Sequence, residues 1–581
     1  MTASLFRHIA FAFIALGLLL PHPASAQVPT QQELSRLAPL GAYLAGRQAL
    51  IGRDFTAAAA YYRAALRADP NNKELLESTL VALLVGGDVE EAAKLAEKAV
   101  QSDKSHRLAR LTLGVRALKQ KQYQTARQHF SLTGQRVDFD LIAGLLSGWA
   151  AYGAGDTRAA IDTIDKLSGP EQLFPLFKNL HAGLILELAG SKKEAGKRFE
   201  KAYSLDPNDM RVVEGYAGWA VRNGSKDDAL KVVDAFRKAA PRNPFINALS
   251  DTIKRGDKPA MLFASPQEGA AEVLFGVSSW LSRKGQDDLG PISLQLALYL
   301  QPSHPLALLA LADLYTAVKK PELAIKLYER IPATSPMRRS ASIQMAVDLD
   351  GLERPDEARK ILDKLIAEQP KDVDAYYALA ALLRSRKKYE ECTDVYNKIV
   401  PTIENPQKSD WVVFYYRGIC QERSRQWDKA EADLKKALDL FPEQPQVLNY
   451  LGYSWVDQGV NLDEGMKMIR RAVEQRPEDG YIIDSLGWAY YRLGQYDEAV
   501  KHLEEAVSRK PEDPTINDHL GDAYWKVGRE PEARFQWSHA KDLKPEPEDL
   551  PKIEEKLKSG LSDTPSPAAG AERIKKSGSG G

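Results

Sequence analysis

The sequence predicts an all-α solenoid, a stack of helical hairpins, and three observations predict it. The stretch "DSLGWAYYRLGQYDEAV" from Asp484 is echoed by "DHLGDAYWKVGREPEAR" from Asp518, 34 residues later. Within each copy the apolar residues fall at helical spacing, not at the alternation of a strand. The composition, 44% hydrophobic and 27% charged with two cysteines in 581 residues, is that of an ordinary globular chain held by packing and not by a disulfide framework. A unit of about 34 residues is too small to bury its own apolar face, so stacked neighbours must complete the core.

Taken in chain order, the first 26 residues stand apart. Arg7 and His8 precede a 12-residue apolar run over 9–20, followed by Pro21, Pro23 and the small triplet Ala24, Ser25, Ala26. The run is short for a membrane helix, and the triplet suits cleavage before Gln27, so 1–26 is expected to be a secretory signal peptide. The mature chain is then expected to be extracytoplasmic, periplasmic in a bacterium, with no integral membrane segment. Cys392 and Cys420 both lie far from the cleavage site, so no lipid anchor is expected there. The 79 basic and 79 acidic residues cancel. With no net field to draw the chain to nucleic acid or an anionic membrane, recognition must come from local surface.

The repeats begin beyond a short leader, 27–38. Leu486, Gly487, Tyr490, Gly494, Ala499 and Ala506 recur as Leu520, Gly521, Tyr524, Gly528, Ala533 and Ala540, and Pro511 and Pro545 close the two units. Gly487 and Ala499 are small where two helices must cross. Leu486, Tyr490, Leu503 and Ala506 form the apolar stripe, Gly494 makes the turn, and Pro511 ends the second helix. Earlier copies run through Gly46, Phe55, Ala58, Tyr62, Ala65 and Pro70, through Gly114, Tyr123, Ala126 and Phe130, and through Gly183, Gly190, Ala195, Phe199, Ala202 and Pro207. The unit around Gly452 carries an extra residue near Val460. About fourteen hairpins are expected: one solenoid over 39–243, an irregular joint over 244–270 where "KRGDKPAMLFASPQEG" lacks a helical stripe, and a second solenoid over 271–547. A polar capping helix over 548–559 and a disordered Pro/Gly/Ser-rich tail over 560–581 follow.

The order Leu-Gly, Tyr, Gly, Ala, a large apolar residue, Ala and Pro resembles the tetratricopeptide repeat. The resemblance implies a right-handed superhelix whose first helices line a concave face. On that face the early repeats would place Leu108, Leu111, Val115, Leu118, Ile142, Leu145, Trp149, Tyr152, Phe177, Leu180 and Leu184. Such a strip is either an interface, for a partner or a second copy of the chain, or it packs against the leader around 31–37 or a neighbouring turn. The late repeats would place Tyr453, Tyr481, Asp484, Trp488, Tyr491, Asp518, Asp522 and Trp525 there, aromatics that suit interaction hot spots beside acids that favour a basic or neutral ligand. The Lys-and-Asn clamp by which some family members hold a C-terminal carboxylate is missing from these positions.

Catalytic signatures are absent from the sequence: no His-Glu-x-x-His, no phosphate loop and no Gly-x-Ser-x-Gly. Neither an enzyme nor a cofactor is expected. Of nine histidines, His519 between Asp518 and Asp522 is the most suggestive of a metal, but three polar residues on one helix read better as a solvated face. Cys392 takes the alanine position of its sister repeats. A bridge to Cys420 in the next hairpin is open, and two buried thiols is the favoured reading. The block from Leu448 to Ala499 resembles bacterial envelope tetratricopeptide proteins, including an outer-membrane lipoprotein that serves as adaptor to a carboxyl-terminal processing protease. A non-enzymatic adaptor binding protein partners in its groove is therefore expected, such a protease among them. The alternative is a scaffold for polysaccharide or cell wall, with Trp488, Tyr491 and Trp525 as stacking platforms.

Overall fold

Short polar side chains start many of the helices by accepting a hydrogen bond from a backbone N–H that no helical partner can satisfy. Asp54 accepts from Ala57, Asn72 from Leu75, Asp209 from Val212 and Asp513 from Ile516, each at 3.0–3.1 Å. At the turn inside a hairpin the chain passes through the left-handed region, with Gly494 at φ 75° and Gly528 at φ 81°. Lys387 and Arg425 hold the corresponding turn position at φ 57° and 63° without a glycine's freedom, at a cost of about 1 kcal/mol each. Where two helices cross, glycine is required by space. A Cβ on Gly487 would lie 2.6 Å from Leu503, and one on Gly521 would lie 2.5 Å from Trp537. Gly452 and Gly465 face each other, and a Cβ on either would sit 2.7–2.8 Å from the other's carbonyl oxygen.

The structure, a computed structural model, describes residues 30–133, 137–171, 173–283, 289–371 and 373–561. The expected signal peptide and nearly all of the expected tail lie outside the described residues. Every regular element among the described residues is helical. The chain forms two compact units that divide between Arg354 and Pro355.

In the first unit six hairpins follow one another from Pro39 to Ala239, beginning with Pro39–Ile51 paired to Phe55–Ala68. The leader folds as a six-residue helix, Gln31–Arg36, closed by a capping box between Thr30 and Glu33, and it packs on helix Phe55–Ala68. The segment expected as an irregular joint departs from that expectation. Residues Pro244–Arg255 form a helix whose Phe245, Ile246, Leu249 and Ile253 are buried, and only 256–265 are irregular. Its stripe repeats at helical spacing but has no second helix to pair with, which is why no hairpin template finds it. Helices Pro266–Arg283 and Gly290–Leu300 then fold back against the earlier repeats, and Pro305–Ala317, Pro321–Arg330 and Arg338–Gly351 complete the unit.

The second unit opens with helix Pro355–Glu368 and continues as five hairpins from Val373 to Asp542. The extra residue near Val460 is absorbed by two positive-φ positions, Gly459 at 72° and Asn461 at 46°. Helix Leu550–Ser559 packs on the last hairpin, with Ile553 buried beside Trp537. Cys392 and Cys420 are joined by a disulfide, Cα to Cα 6.1 Å. This corrects the expectation of two thiols. The need for a small residue at 392 said nothing of its neighbour, and packing helix Trp411–Arg423 on Tyr389–Ile399 brings the two sulfurs together.

Candidate functional site

The early apolar strip is not an open face. Leu108, Leu111, Val115, Leu118, Ile142, Leu145, Trp149, Phe177, Leu180 and Leu184 are all buried, Tyr152 is half-buried, and they share one core with Ala270, Val273, Leu274, Val277, Ile292 and Leu296. The cover is neither the leader nor an adjacent turn of the stack but the chain's own helices Pro266–Arg283 and Gly290–Leu300. Close approach is built in. A Cβ on Gly269 would overlap the indole of Trp149, and one on Gly276 would lie 3.0 Å from Phe177.

Polar anchors hold this cover at both ends. Gln267 Nε2 donates to the carbonyl of Leu118 at 2.9 Å, Gln295 Nε2 donates to that of Val85 at 2.9 Å, and Lys119 Nζ donates to that of Leu300 at 3.0 Å. Beneath them Glu272 takes both Nε and Nη2 of Arg211, at 3.1 and 3.0 Å, and lies 3.1 Å from His304 Nε2. Burial by itself would raise the Glu272 pKa, but Arg211 and His304 outweigh it and hold the carboxyl down at about 2. A buried carboxylate so placed needs its cation, and it ties the returning helix to the repeats. Because this strip lies inside the chain's own core, Leu111, Val115, Leu145, Trp149, Tyr152, Leu180 and Leu184 do not form a surface for a partner or a second copy.

In the second unit helices Pro445–Asp457, Gly480–Arg492 and Pro514–Lys526 bring most of the late residues together. Trp488 stacks on Tyr491, ring centroids 4.7 Å apart, and on His519 at 4.0 Å. His519 Nδ1 lies 2.9 Å from Asp484 Oδ1, and both residues are buried. Burial opposes charging of His519, but Asp484, with Asp518 and Asp522 behind it, wins and raises its pKa above the ordinary value. This overturns the reading of His519, Asp518 and Asp522 as a solvated face. The helix is turned inward, and each acid has a partner that sequence could not place beside it. Among the described residues no group of three His, Cys, Asp or Glu side chains is placed to hold a metal.

The partner for the acids is Lys556 on helix Leu550–Ser559. Its Nζ lies 2.8–2.9 Å from both oxygens of Asp518 and 2.7–2.8 Å from those of Asp522. Trp537 Nε1 donates to Asp522 at 2.9 Å. Burial and the repulsion of Asp518 push Asp522 up to about 6 even against this lysine. Just beyond the helix, Gly560 lies on Trp525, so closely that a Cβ would overlap the indole, and Arg534 covers the ring at 5.3 Å. Asp518, Asp522 and Trp525 are therefore covered by helix Leu550–Ser559 and the glycine that follows it.

Farther back, the inner face stays accessible at its edges. Tyr453, Trp488 and Tyr491 are half-buried. Tyr415 meets Tyr450 edge to face at 6.0 Å, and Arg384 stands 4.7 Å over Tyr416. Tyr450 Oη donates to Glu422 at 2.9 Å. Tyr481 does not join the cluster. It is 53% exposed, over Lys510, in a hollow of about 580 Å³ lined by the link from Gln475 to Asp479. Trp488 stacks on Tyr491 and His519, Tyr491 stacks on Trp488 and meets Tyr496 at 5.4 Å, and Trp525 lies under Gly560, so each of the three expected sugar platforms is already engaged by the chain's own rings or backbone. Lys556 and Arg384 were not read from the sequence. Charge opposite an acid pair is the signal for the first, but a lysine 34 residues from Asp522 has nothing else to mark it.

The described helices include none long and apolar enough to cross a membrane. A family model described as "TPR repeat" matches residues 487–528, and one described as "Tetratricopeptide repeat" matches 43–106, 82–135, 343–407 and 421–480. The chain is similar to "TPR repeat-containing protein PA4667" of Pseudomonas aeruginosa, 30% identical over 145 residues, which is 24% of each chain. It is also similar to "BBSome complex member BBS4" of Bos taurus, 30% identical over 22% of this chain and 23% of that one. It thus spans about a quarter of the length of the curated relatives it matches. Among solved structures, the Cut9 complex described as "APC/C hetero-tetramer Cut9-Hcn1" is 14% identical with a TM-score of 0.36, covering 91% of this chain and 98% of that one. "Yeast Tom70" is 14% identical with a TM-score of 0.32, covering 92% and 96%.

Proposed function

We propose, on the premise that the chain is a tetratricopeptide-repeat protein, that it is a non-enzymatic periplasmic adaptor whose second unit holds a protein partner. One contrast carries the reading. The first unit fills its inner face with its own helices, whereas the second leaves half-buried aromatics, Tyr453, Trp488 and Tyr491, at the inner positions of consecutive repeats. Aromatic side chains held by neighbours lose little freedom on binding and carry a large contact area, which is what hot spots need. The Cys392–Cys420 disulfide and the apolar segment over 9–20 support an oxidising, extracytoplasmic compartment. The block from Leu448 to Ala499 resembles envelope adaptors, and this makes a carboxyl-terminal processing protease the first partner to test.

The test is site-specific photocrosslinking in the full chain. A benzoylphenylalanine at Tyr453 or Tyr491 is expected to capture the same protein in the periplasm, and one at the exposed Lys501 is expected to capture none. Adducts from Lys501 alone, or from neither inner position, would overturn the assignment of the face; adducts that never contain a protease would overturn that choice of partner.

A further inference from the structure

Inside the first unit a cavity of about 660 Å³ opens between helices Phe174–Leu188 and Pro266–Arg283 and the 205–211 link. That volume is in the range of ligand-binding clefts. Its walls are apolar: Leu176, Phe177, Leu180, Phe275 and Leu306. Its polar lining is one-sided. Arg211 and Glu272 neutralise each other there, while Glu171, Asp206 and Asp209 have no cation paired to them among the described residues. The three acids belong to the links that lead into helices Phe174–Leu188 and Met210–Arg222.

A second observation concerns His181, fully buried among the lining residues. Its Nδ1 lies 3.2 Å from Trp149 Nε1, and an indole N–H can only donate, so Nδ1 accepts and the ring's hydrogen is on Nε2. That N–H has no partner. Burial drives the His181 pKa down to about 4, so the ring is neutral near pH 7. Native interiors leave few such donors unmet. Phe177 stacks parallel to the ring, within 14°, and it is also a wall of the cavity. A group entering the cavity would therefore move Phe177 first and reach the imidazole next.

We infer that this cavity is a second docking pocket, which receives from a protein partner a segment carrying a bulky apolar side chain next to a lysine or arginine. The apolar walls take the side chain, the three carboxylates take the cation, and the partner's backbone supplies the carbonyl that the His181 Nε2–H lacks once Phe177 turns aside. The pocket lies wholly in the first unit. It stands or falls independently of the aromatic face of the second.

The experiment titrates the full chain into a fluorescein-labelled octapeptide, Gly-Gly-Phe-Leu-Lys-Arg-Gly-Gly, and follows anisotropy. Two control peptides replace Lys-Arg by Glu-Glu and Phe-Leu by Gly-Gly. Saturable binding of the first peptide, at least tenfold tighter than either control, is expected. The double variant Glu171→Lys with Asp206→Lys, which touches the rim and not the core, should lose at least tenfold for the basic peptide and gain for the acidic one. Ser279→Trp, which fills the cavity from helix Pro266–Arg283, should abolish binding while its thermal melt matches the wild type. No saturable binding of the basic peptide, equal binding by the rim variant, or loss of binding on Tyr491→Ala in its place would overturn the proposal.

Discussion

The indole of Trp149 lies directly on the backbone of Gly269, so closely that no larger residue fits at position 269 without displacing the ring. This contact joins the fourth hairpin to a helix that starts more than a hundred residues later. Gly269→Val is expected to destabilise the first unit by about 1–3 kcal/mol through overpacking. Hydrogen exchange over 141–149 should accelerate while 480–526 is unchanged. Unaltered protection at 141–149 would mean that the returning helix is not held there.

Among the described lysines and arginines, Lys556 is the one paired with Asp518 and Asp522. Lys556→Ala is expected to cost roughly 3 kcal/mol at pH 7, because it leaves the buried Asp522 and the half-buried Asp518 without their lysine. Lys556→Arg should recover much of this. Asp522 already has a raised pKa, so its ionisation costs the fold stability, a cost that grows as pH rises from the ordinary carboxylate range and is complete above about pH 6. The alanine variant should accordingly regain stability as pH falls from 7 toward 5, checked by urea unfolding at both values.

The His519–Asp484 pair makes the second unit respond to pH with the same sign but in a higher range. The folded pKa of His519 is raised above the ordinary 6.5. Its contribution is therefore fully present below about pH 6.5 and is lost as pH rises through the folded value. Asp484→Asn should flatten that dependence and lower stability at pH 6 more than at pH 9. Thermal melts across this range decide it, and a variant that loses equally at both would show the pair to be uncharged.

Breaking the Cys392–Cys420 link should cost about 2–4 kcal/mol, the usual effect of closing a loop of this size. The matching observation is chemical. Unfolded protein without reductant should show no free thiol, and two after reduction. Cys392→Ala should keep the helix packing, since alanine fills the same position in sister repeats, and lose only the cross-link.

The repeat architecture was legible because glycine and alanine are demanded wherever helices cross, and Gly487, Ala499, Gly521 and Ala533 mark those crossings at a fixed interval. Which face would be free was not. Leu111, Val115 and Trp149 look the same in sequence whether a partner covers them or the chain does. One clue was present: Gly269 and Gly276 are seven residues apart, on one face of one helix, which is a mark of close approach that a loop would not need. The acids at 518 and 522 lie on the first helix of the last hairpin, whereas their lysine lies in a helix outside the repeat, where periodicity has nothing to say. In the same way the period predicted a small residue at 392 and was silent about a bond to 420.

Repeat stacks usually assemble from neighbour to neighbour, so each hairpin can settle as soon as the next one exists. The bond from Gln295 to the carbonyl of Val85 spans 210 positions. A ribosome or a translocon delivering this chain from its first residue would thus release some two hundred residues whose greasy inner wall has no cover yet. The slow step of maturation should be the arrival of that late hairpin, and until then the nascent molecule is a customer for chaperones.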